Sequence, residues 1–229
     1  MRSSPPLVDH IGHLLERTYD FRSGLLPLGR FIVGDDGHRR LRERYAVTER
    51  VEEQEGSACV LLRPLCRGRR WAAVLYLPDR LVALLEGADP RKELHRGNIG
   101  AFGTLIEEVD HLLTFADRIA HRGAVISLLE LEWHAAVSKY LSLAHFAARL
   151  EGTPRLSARS RVLIETELFG GGDSAVDDPL VRERYLRAEA LAMGLLETTS
   201  VLPASERLRY LRRFHRANHF EKLRRFAAN

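Results

Sequence analysis

The chain has 229 residues, of which 45% are hydrophobic and 29% are charged. This composition supplies enough apolar material for a buried core and excludes a disordered chain. No stretch without charge approaches the roughly 20 residues that a membrane-spanning helix needs, and the N-terminal residues lack the apolar centre of a signal peptide. We therefore expect a soluble, cytoplasmic, globular protein.

Arginine supplies almost all of the positive charge. Only Lys92, Lys139 and Lys222 are lysines among the 35 basic residues, and the formal net charge is +4. This bias is typical of a GC-rich, bacterial-type genome, and it also suits recognition of phosphate and carboxylate groups. A net charge of this size does not by itself indicate a nucleic-acid partner.

The first half of the chain alternates between helical and strand periodicity. The pattern predicts a helix over 7–18, a strand over 31–33 that ends in a turn at 34–37, strands over 44–54, 57–63 and 70–77, and a short helix over 81–87. Glycine-containing breaks separate the last three strands. They favour a small antiparallel β-meander.

The second half is helical throughout. Apolar spacing and capping signals predict five helices, over 98–121, 127–150, 157–169 and 178–198, and from 203 nearly to the C-terminus. The fold class is therefore α+β: a small antiparallel meander with short helices, followed by a bundle of about five α-helices. The chain divides into an α+β region over 1–95 and a helical bundle over 96–229. A small sheet needs a covering helix layer, which favours one continuous compact domain.

The predicted helix 98–121 carries an E-x-x-H pair, Glu108 and His111, one turn apart on the same face. Di-iron bundles use this motif twice, and the helical half has no second copy. On a helical projection Glu108 lies at the edge of the apolar stripe, whereas Glu107 and Asp110 point away from it, as do Asp117 and His121. A solvated helix flank is the competing interpretation.

The predicted helix 127–150 places two charges on its apolar side, Glu132 and Lys139. Its polar stripe, with Glu130, His134 and Ser138, is expected to face solvent, and Glu130 completes a capping box at the start of the helix. Buried charges need partners, so one interpretation is an ion-pair network that sets the register of the bundle.

The other interpretation is a functional cluster in which Glu132 joins Glu108 and His111 as metal ligands. Three such ligands with open positions suit zinc, iron or manganese. Glu132 and Lys139 are then the candidate catalytic residues, with Lys139 orienting a carboxylate or binding an anionic substrate.

The last predicted helix offers an alternative metal pair, His215 and His219, four residues apart. The zinc-protease form of this spacing requires glutamate at the position of Arg216. Partly buried structural histidines are the competing interpretation.

The same helix concentrates positive charge. Between 203 and 229, seven arginines and Lys222 stand against two glutamates, a local net charge of +6. The candidate anion-binding residues are Arg209, Arg213, Arg216 and Arg224, with Tyr210, Phe214 and Phe220 interleaved for stacking on bases. A solvated outer helix is the competing interpretation here.

Two functions thus remain, and no P-loop, nucleophile elbow or Rossmann glycine pattern adds a third. The first is a metal-binding or anionic-substrate site in the bundle. The alternative is a non-enzymatic regulatory or adaptor module whose Arg-rich C-terminal helix binds nucleic acid or an acidic protein surface. We prefer the first, because buried charges require an explanation and a solvated basic helix does not. Homo-oligomerisation is compatible with both.

Overall fold

Helices dominate the structure, a computed structural model that describes residues 6–45, 57–65, 70–119, 126–169 and 178–227. The helices in these residues are α1 (Leu7–Tyr19), α2 (Asp35–Arg44), α3 (Asp79–Gly87), α4 (Arg96–Asp117), α5 (Leu128–Leu150), α6 (Ala158–Phe169), α7 (Pro179–Ser200), α8 (Ala204–Arg216) and α9 (His219–Phe226). The strands are β1 (Ile32–Val33), β2 (Cys59–Leu65) and β3 (Arg70–Tyr76). The α+β class with a helical bundle is confirmed. Within the described ranges, no helix combines the length and the apolar character needed to cross a membrane.

The three strands form one mixed sheet in the order β1-β3-β2. β2 and β3 pair antiparallel, with Cys59 opposite Tyr76, so the predicted hairpin is confirmed. β1 joins the other edge of β3 in parallel, which a meander does not allow. The turn predicted at 35–37 is wrong, because two aspartates in a first turn favour a helix and α2 begins there. The strand predicted over 44–54 falls almost entirely outside the described residues.

Capping groups fix several helix ends where the sequence predicted them. Ser127 Oγ accepts the backbone N–H of Glu130 (3.1 Å), and Asp178 accepts that of Leu180 (2.8 Å). The Glu130 half of the predicted capping box is wrong, because the Glu130 carboxylate pairs with Arg118 and Lys222 instead. Gly152, at φ 65°, ends α5 in the left-handed conformation that glycine adopts without strain.

The sequence predicted one continuous last helix, and this prediction is wrong. α8 ends at Arg216, and α9 starts after Asn218, whose side chain accepts the Glu221 N–H (3.0 Å) while Glu221 accepts the Asn218 N–H (3.2 Å). Such a reciprocal cap starts a new helix, because it uses the backbone donors that an uninterrupted helix would have paired internally.

One hydrophobic cluster spans both sides of residue 95. It contains Ile11 of α1, Leu75 of β3, Phe102 of α4, Phe146 of α5 and Phe214 of α8, all of them buried. α5 packs against α4, α6 and α7, so it occupies the middle of the bundle. The division at residue 95 stays a prediction, and the shared core is what a single domain requires.

A buried ionic cluster attaches the C-terminal helix to this core. Arg118 Nη2 donates to Glu130 Oε1 (2.7 Å), and Lys222 Nζ of α9 lies 2.9 Å from the same oxygen. The three side chains are at most 2% exposed. Arg118 also donates to the carbonyls of His215 and Ala217 at the end of α8, each at 2.7 Å. One arginine and one glutamate therefore connect α4, α5, α8 and α9.

Replacing Glu130 with glutamine should destabilise the fold by about 3–5 kcal/mol, because two buried cations lose their carboxylate. Urea denaturation followed by circular dichroism measures this loss. The matched control is Glu206→Gln, at an exposed carboxylate 3.9 Å from Arg209, where we expect less than about 1 kcal/mol. Equal costs for the two variants would show that the ionic cluster does not hold α9 in place.

Candidate metal centre

Three potential metal ligands meet where α4 packs against α5. Glu107 and His111 are four residues apart on one face of α4, and Glu132 comes from α5. Each offers one ligand atom, and these atoms lie within 4.8 Å of one another. The side chain of Glu132 is 3% exposed and that of Glu107 is 17% exposed, so the group is buried with one side near solvent. Glu107, His111 and Glu132 could therefore hold a metal ion.

The hydrogen bonding of His111 determines which ring nitrogen carries its proton. Nδ1 lies 3.0 Å from the backbone carbonyl of Glu107, and a carbonyl only accepts, so Nδ1 donates. In the neutral ring, Nε2 then carries a lone pair, and it lies 3.5 Å from Glu132 Oε2. Glu132 Oε2 is buried without a hydrogen-bond partner in the described part of the chain. Two electron-rich atoms thus face each other and need a proton or a cation between them.

The carboxyl groups in and beside the site differ in pKa, and two of them have raised values. Burial opposes ionisation of Glu107, but the Lys139 ammonium at 2.9 Å holds the pKa of this carboxyl below its ordinary value. Burial, followed by the charge of Glu107, raises the pKa of Glu132 to about 8. Burial and both neighbouring carboxylates raise the pKa of Glu108 well above its usual range. Burial lowers the pKa of His111, which keeps the ring neutral.

Helix α7 closes a third side of the group. Burial, followed by the charges of Glu132 and Glu107, raises the pKa of the Tyr185 hydroxyl. The Arg184 guanidinium lies 5.6 Å from the Tyr185 ring and acts on Glu132 as a positive charge. The group is therefore enclosed by α4, α5 and α7.

The structure brings together three of the residues that the sequence singled out: His111, Glu132 and Lys139. The expectation that Glu107 points away from the core is wrong, because α5 covers that face of α4 and Lys139 pairs with Glu107. Glu108 lies on the other side of the stripe and hydrogen-bonds to the backbone of Val60 in β2. A projection that followed only the apolar stripe could not show that α4 is covered on two sides.

A second polar network was missed at the sequence level. His134 Nδ1 lies 2.8 Å from Asp110 Oδ2, and Ser138 Oγ donates to Asp110 Oδ1 (2.7 Å). His134 Nε2 meets His215 Nδ1 of α8 at 3.0 Å. These four side chains are at most 1% exposed. The expectations that His134 and Ser138 face solvent are wrong, because α1 and α8 cover this side of the bundle. For the same reason the expectation that Asp110 and Asp117 point outward is wrong.

A signal for this network was present in the sequence. Polar residues recur every three or four positions along an otherwise apolar helix, and Asp110 carries a matching carboxylate on the preceding helix. The competing interpretation of His215 as a buried structural histidine agrees with its position, at 0% exposure.

The alternative metal pair loses the geometry on which its prediction was based. His215 ends α8 while His219 starts α9, and His219 Nδ1 lies 3.0 Å from Ser127 Oγ. The turn at 217–218 interrupts the helical spacing that would have placed both rings on one face. His215 faces His134 on one side and Asp117 on the other, the latter at 3.3 Å.

The four candidate anion-binding arginines are on the surface. Arg209, Arg213 and Arg224 are exposed, and Arg216 donates to Asp20 Oδ2 (3.0 Å). The first three are available to a partner at the C-terminal helices.

Comparison of the chain with protein-family models, with curated proteins and with solved structures finds no significant match. The function is therefore inferred from the chemistry of the residues themselves.

The polar network predicts a pH-dependent stability. Burial lowers the pKa of His215 to about 3, whereas an unfolded histidine titrates near 6.5. A depressed pKa of a base means that its contribution to stability is present above pH 6.5 and is lost as the pH falls towards 3. The stability difference between the wild type and His215→Gln should therefore shrink below pH 6.5, by about 1 kcal/mol per pH unit.

Urea denaturation at pH 8, 6 and 5 measures this difference. His13→Gln, at an exposed position of α1, reports the effect of removing an imidazole that is outside the network. A difference for His215→Gln that does not change with pH would contradict the assignment of a neutral ring to the folded protein.

Proposed function

We propose that the α4–α5 group binds one divalent transition-metal ion through Glu107, His111 and Glu132. The observation that carries this proposal is the 3.5 Å contact between His111 Nε2 and Glu132 Oε2. Two ligands that coordinate one ion tetrahedrally at 2.0–2.2 Å are about 3.4 Å apart, so the side chains already have ligand spacing. An imidazole favours zinc or iron and carboxylates favour manganese, which gives zinc, iron or manganese as the candidate ions.

The ligand set predicted from the sequence, Glu108 with His111 and Glu132, differs from this one at a single carboxylate. The bond from Glu108 to the Val60 backbone supports Glu107 as the ligand, because it occupies Glu108 elsewhere. Glu108 stays a prediction that the same experiment tests.

The surroundings suit a reactive rather than a purely structural ion. Structural zinc sites use four protein ligands, whereas three ligands leave positions at which a divalent ion polarises bound water or substrate. In this proposal Glu132 and Lys139 are the residues with a direct chemical role. Lys139 orients Glu107 through its 2.9 Å contact and offers a cation to an anionic substrate. A cytoplasmic location suits such a site and is part of the proposal.

The metal content of untagged protein, purified without chelators, tests the proposal. We expect close to one ion per chain by inductively coupled plasma mass spectrometry. After removal of metal with EDTA, calorimetric titration with Zn²⁺ and Mn²⁺ should show one site. Glu107→Gln, His111→Gln and Glu132→Gln should each weaken it at least tenfold, because each removes one of three ligands.

Glu108→Gln is the matched control, because it removes a neighbouring buried carboxyl from the same helix. We expect it to retain metal. Loss of metal in Glu108→Gln together with retention in Glu107→Gln would favour the ligand set predicted from the sequence. A folded wild type that binds neither ion would exclude the metal site, and the group would then be a structural ion-pair network.

A second candidate function is the regulatory or adaptor module that binds an anionic macromolecule. The observation that favours it is the side chain of Phe220, which is 82% exposed on α9, the helix that also carries the exposed Arg224. An exposed aromatic ring among cations suits stacking on nucleic-acid bases. Self-association also stays a prediction, for which light scattering is the measurement.

Reversing the charge of Arg209, Arg213 and Arg224 should abolish salt-dependent binding of a single-stranded oligonucleotide and leave metal content unchanged. Fluorescence anisotropy at two salt concentrations measures it. If the triple variant still binds the oligonucleotide, this surface is excluded as the nucleic-acid-binding site.

A further inference from the structure

A strongly basic pocket lies at the opposite end of α5 from the candidate metal group. It has a volume of about 840 Å³ and is enclosed by α1, the C-terminal end of α5 and the segment that follows α3. Its basic side chains are Arg17, Arg22, Arg91, Lys92 and Arg149. Among the residues that the structure describes, Asp89 is the single acid that lines it, so the formal charge of the lining is +4.

Two of the five cations have carboxylate partners within the protein, and Arg22 is one of them, 3.4 Å from Glu16 Oε2. Asp89 is used by Arg91, whose guanidinium contacts both of its oxygens at 2.8–3.1 Å. Arg17, Lys92 and Arg149 form no ion pair with any residue that the structure describes. Three cations from three separate segments therefore line one cavity without a carboxylate at ion-pair distance in the described part of the chain.

Three of these cations lower the pKa of the same histidine side chain. Burial lowers the pKa of His10, and the charges of Arg149, Arg91 and Arg17 lower it further. Arg17 and Arg149 each lie in the last turn of a helix, where the helix dipole favours a cation. The dipole explains each position singly but not why both charges face the same cavity, since bringing like charges together costs free energy.

One wall of the pocket is apolar. Phe146 and Leu150 of α5 line it, and the centroid of the His10 ring lies 5.2 Å from that of Phe146. An inorganic phosphate would fill a small part of the cavity, whose volume is in the range of pockets for organic ligands. The site thus combines phosphate-binding charges with a surface that suits a flat ring.

We propose that this pocket binds a small organic polyphosphate. The phosphates contact Arg17, Lys92 and Arg149, because guanidinium and ammonium groups without carboxylate partners are the preferred donors to phosphate oxygens. The organic part packs on His10 and Phe146. A nucleoside diphosphate has the required charge, size and ring.

This inference does not rest on the proposed metal site. Glu132 and Arg149 are 17 residues apart on α5, which corresponds to about 25 Å along a helix axis. Loss of one site therefore leaves the other to be tested.

Calorimetric titration of the full chain with ADP, pyrophosphate and inorganic phosphate tests the proposal. We expect ADP to bind most tightly, pyrophosphate more weakly and phosphate weakest, because only ADP engages both the charges and the apolar wall. Arg149→Glu should weaken ADP binding at least tenfold, and Arg17→Glu should do the same. Glu132→Gln should leave it unchanged.

The matched control is Arg187→Glu, which makes the same charge change at an exposed position of α7. Equal loss of ADP binding in Arg187→Glu would show a general charge effect and overturn the proposal. The absence of binding by all three probes would also overturn it. Tighter binding of a single-stranded oligonucleotide than of ADP, lost in Arg149→Glu, would make nucleic acid the ligand instead. If the thermal melt of Arg149→Glu shows unfolding, Lys92→Gln in an exposed segment replaces it and should weaken ADP binding.

Discussion

Buried ionisable side chains of α5 need partners on neighbouring helices, and this requirement determines how the bundle packs around it. α5 has 23 residues and is buried along most of its length. Glu130 needs the cations of Arg118 and Lys222, which brings α9 against the core. His134 needs Asp110 and His215, which fixes α4 and α8. Without these partners each buried polar group would cost several kcal/mol.

The two polar faces of α5 bring different sets of polar groups together. Around His134, hydroxyl and imidazole groups donate to Asp110, and the network has a structural role that needs no ligand. Around His111, Nε2 of the neutral ring faces Glu132, whose raised pKa of about 8 keeps a proton on the carboxyl near neutral pH, and Lys139 is shared among several carboxylates. The network around His134 also ends in such a contact, since the neutral His215 ring places Nε2 3.3 Å from Asp117 Oδ2. The difference is the number of ligands: in the described part of the chain, only the group around His111 brings three potential metal ligands within 4.8 Å of one another.

The sequence predicted those features that depend on short segments. The caps at Ser127 and Asp178 and the end at Gly152 follow from local backbone chemistry, and the burial of Glu132 follows from its position among apolar residues. Features that depend on distant segments could not be predicted in this way. The parallel pairing of β1 and the burial of His134 depend on which elements cover which face. A helical projection contains no information on that covering.

The distribution of charge is another feature that depends on segments distant in sequence. Summing charges along the chain assigns the basic excess to 203–229, because those arginines are contiguous in sequence. Such a sum does not reveal the basic pocket, because its side chains come from three segments, 10–22, 89–92 and 146–150. None of these segments stands out by its charge in the sequence.

Folding gathers these charges into one cavity, while the arginines of α8 and α9 spread over a solvated surface. At physiological salt a charge is felt over about 8–10 Å, so it is proximity in the fold, and not local charge density in the sequence, that attracts a small anion. For the same reason the pocket and the metal group, about 25 Å apart along α5, act as electrostatically independent sites on one helix.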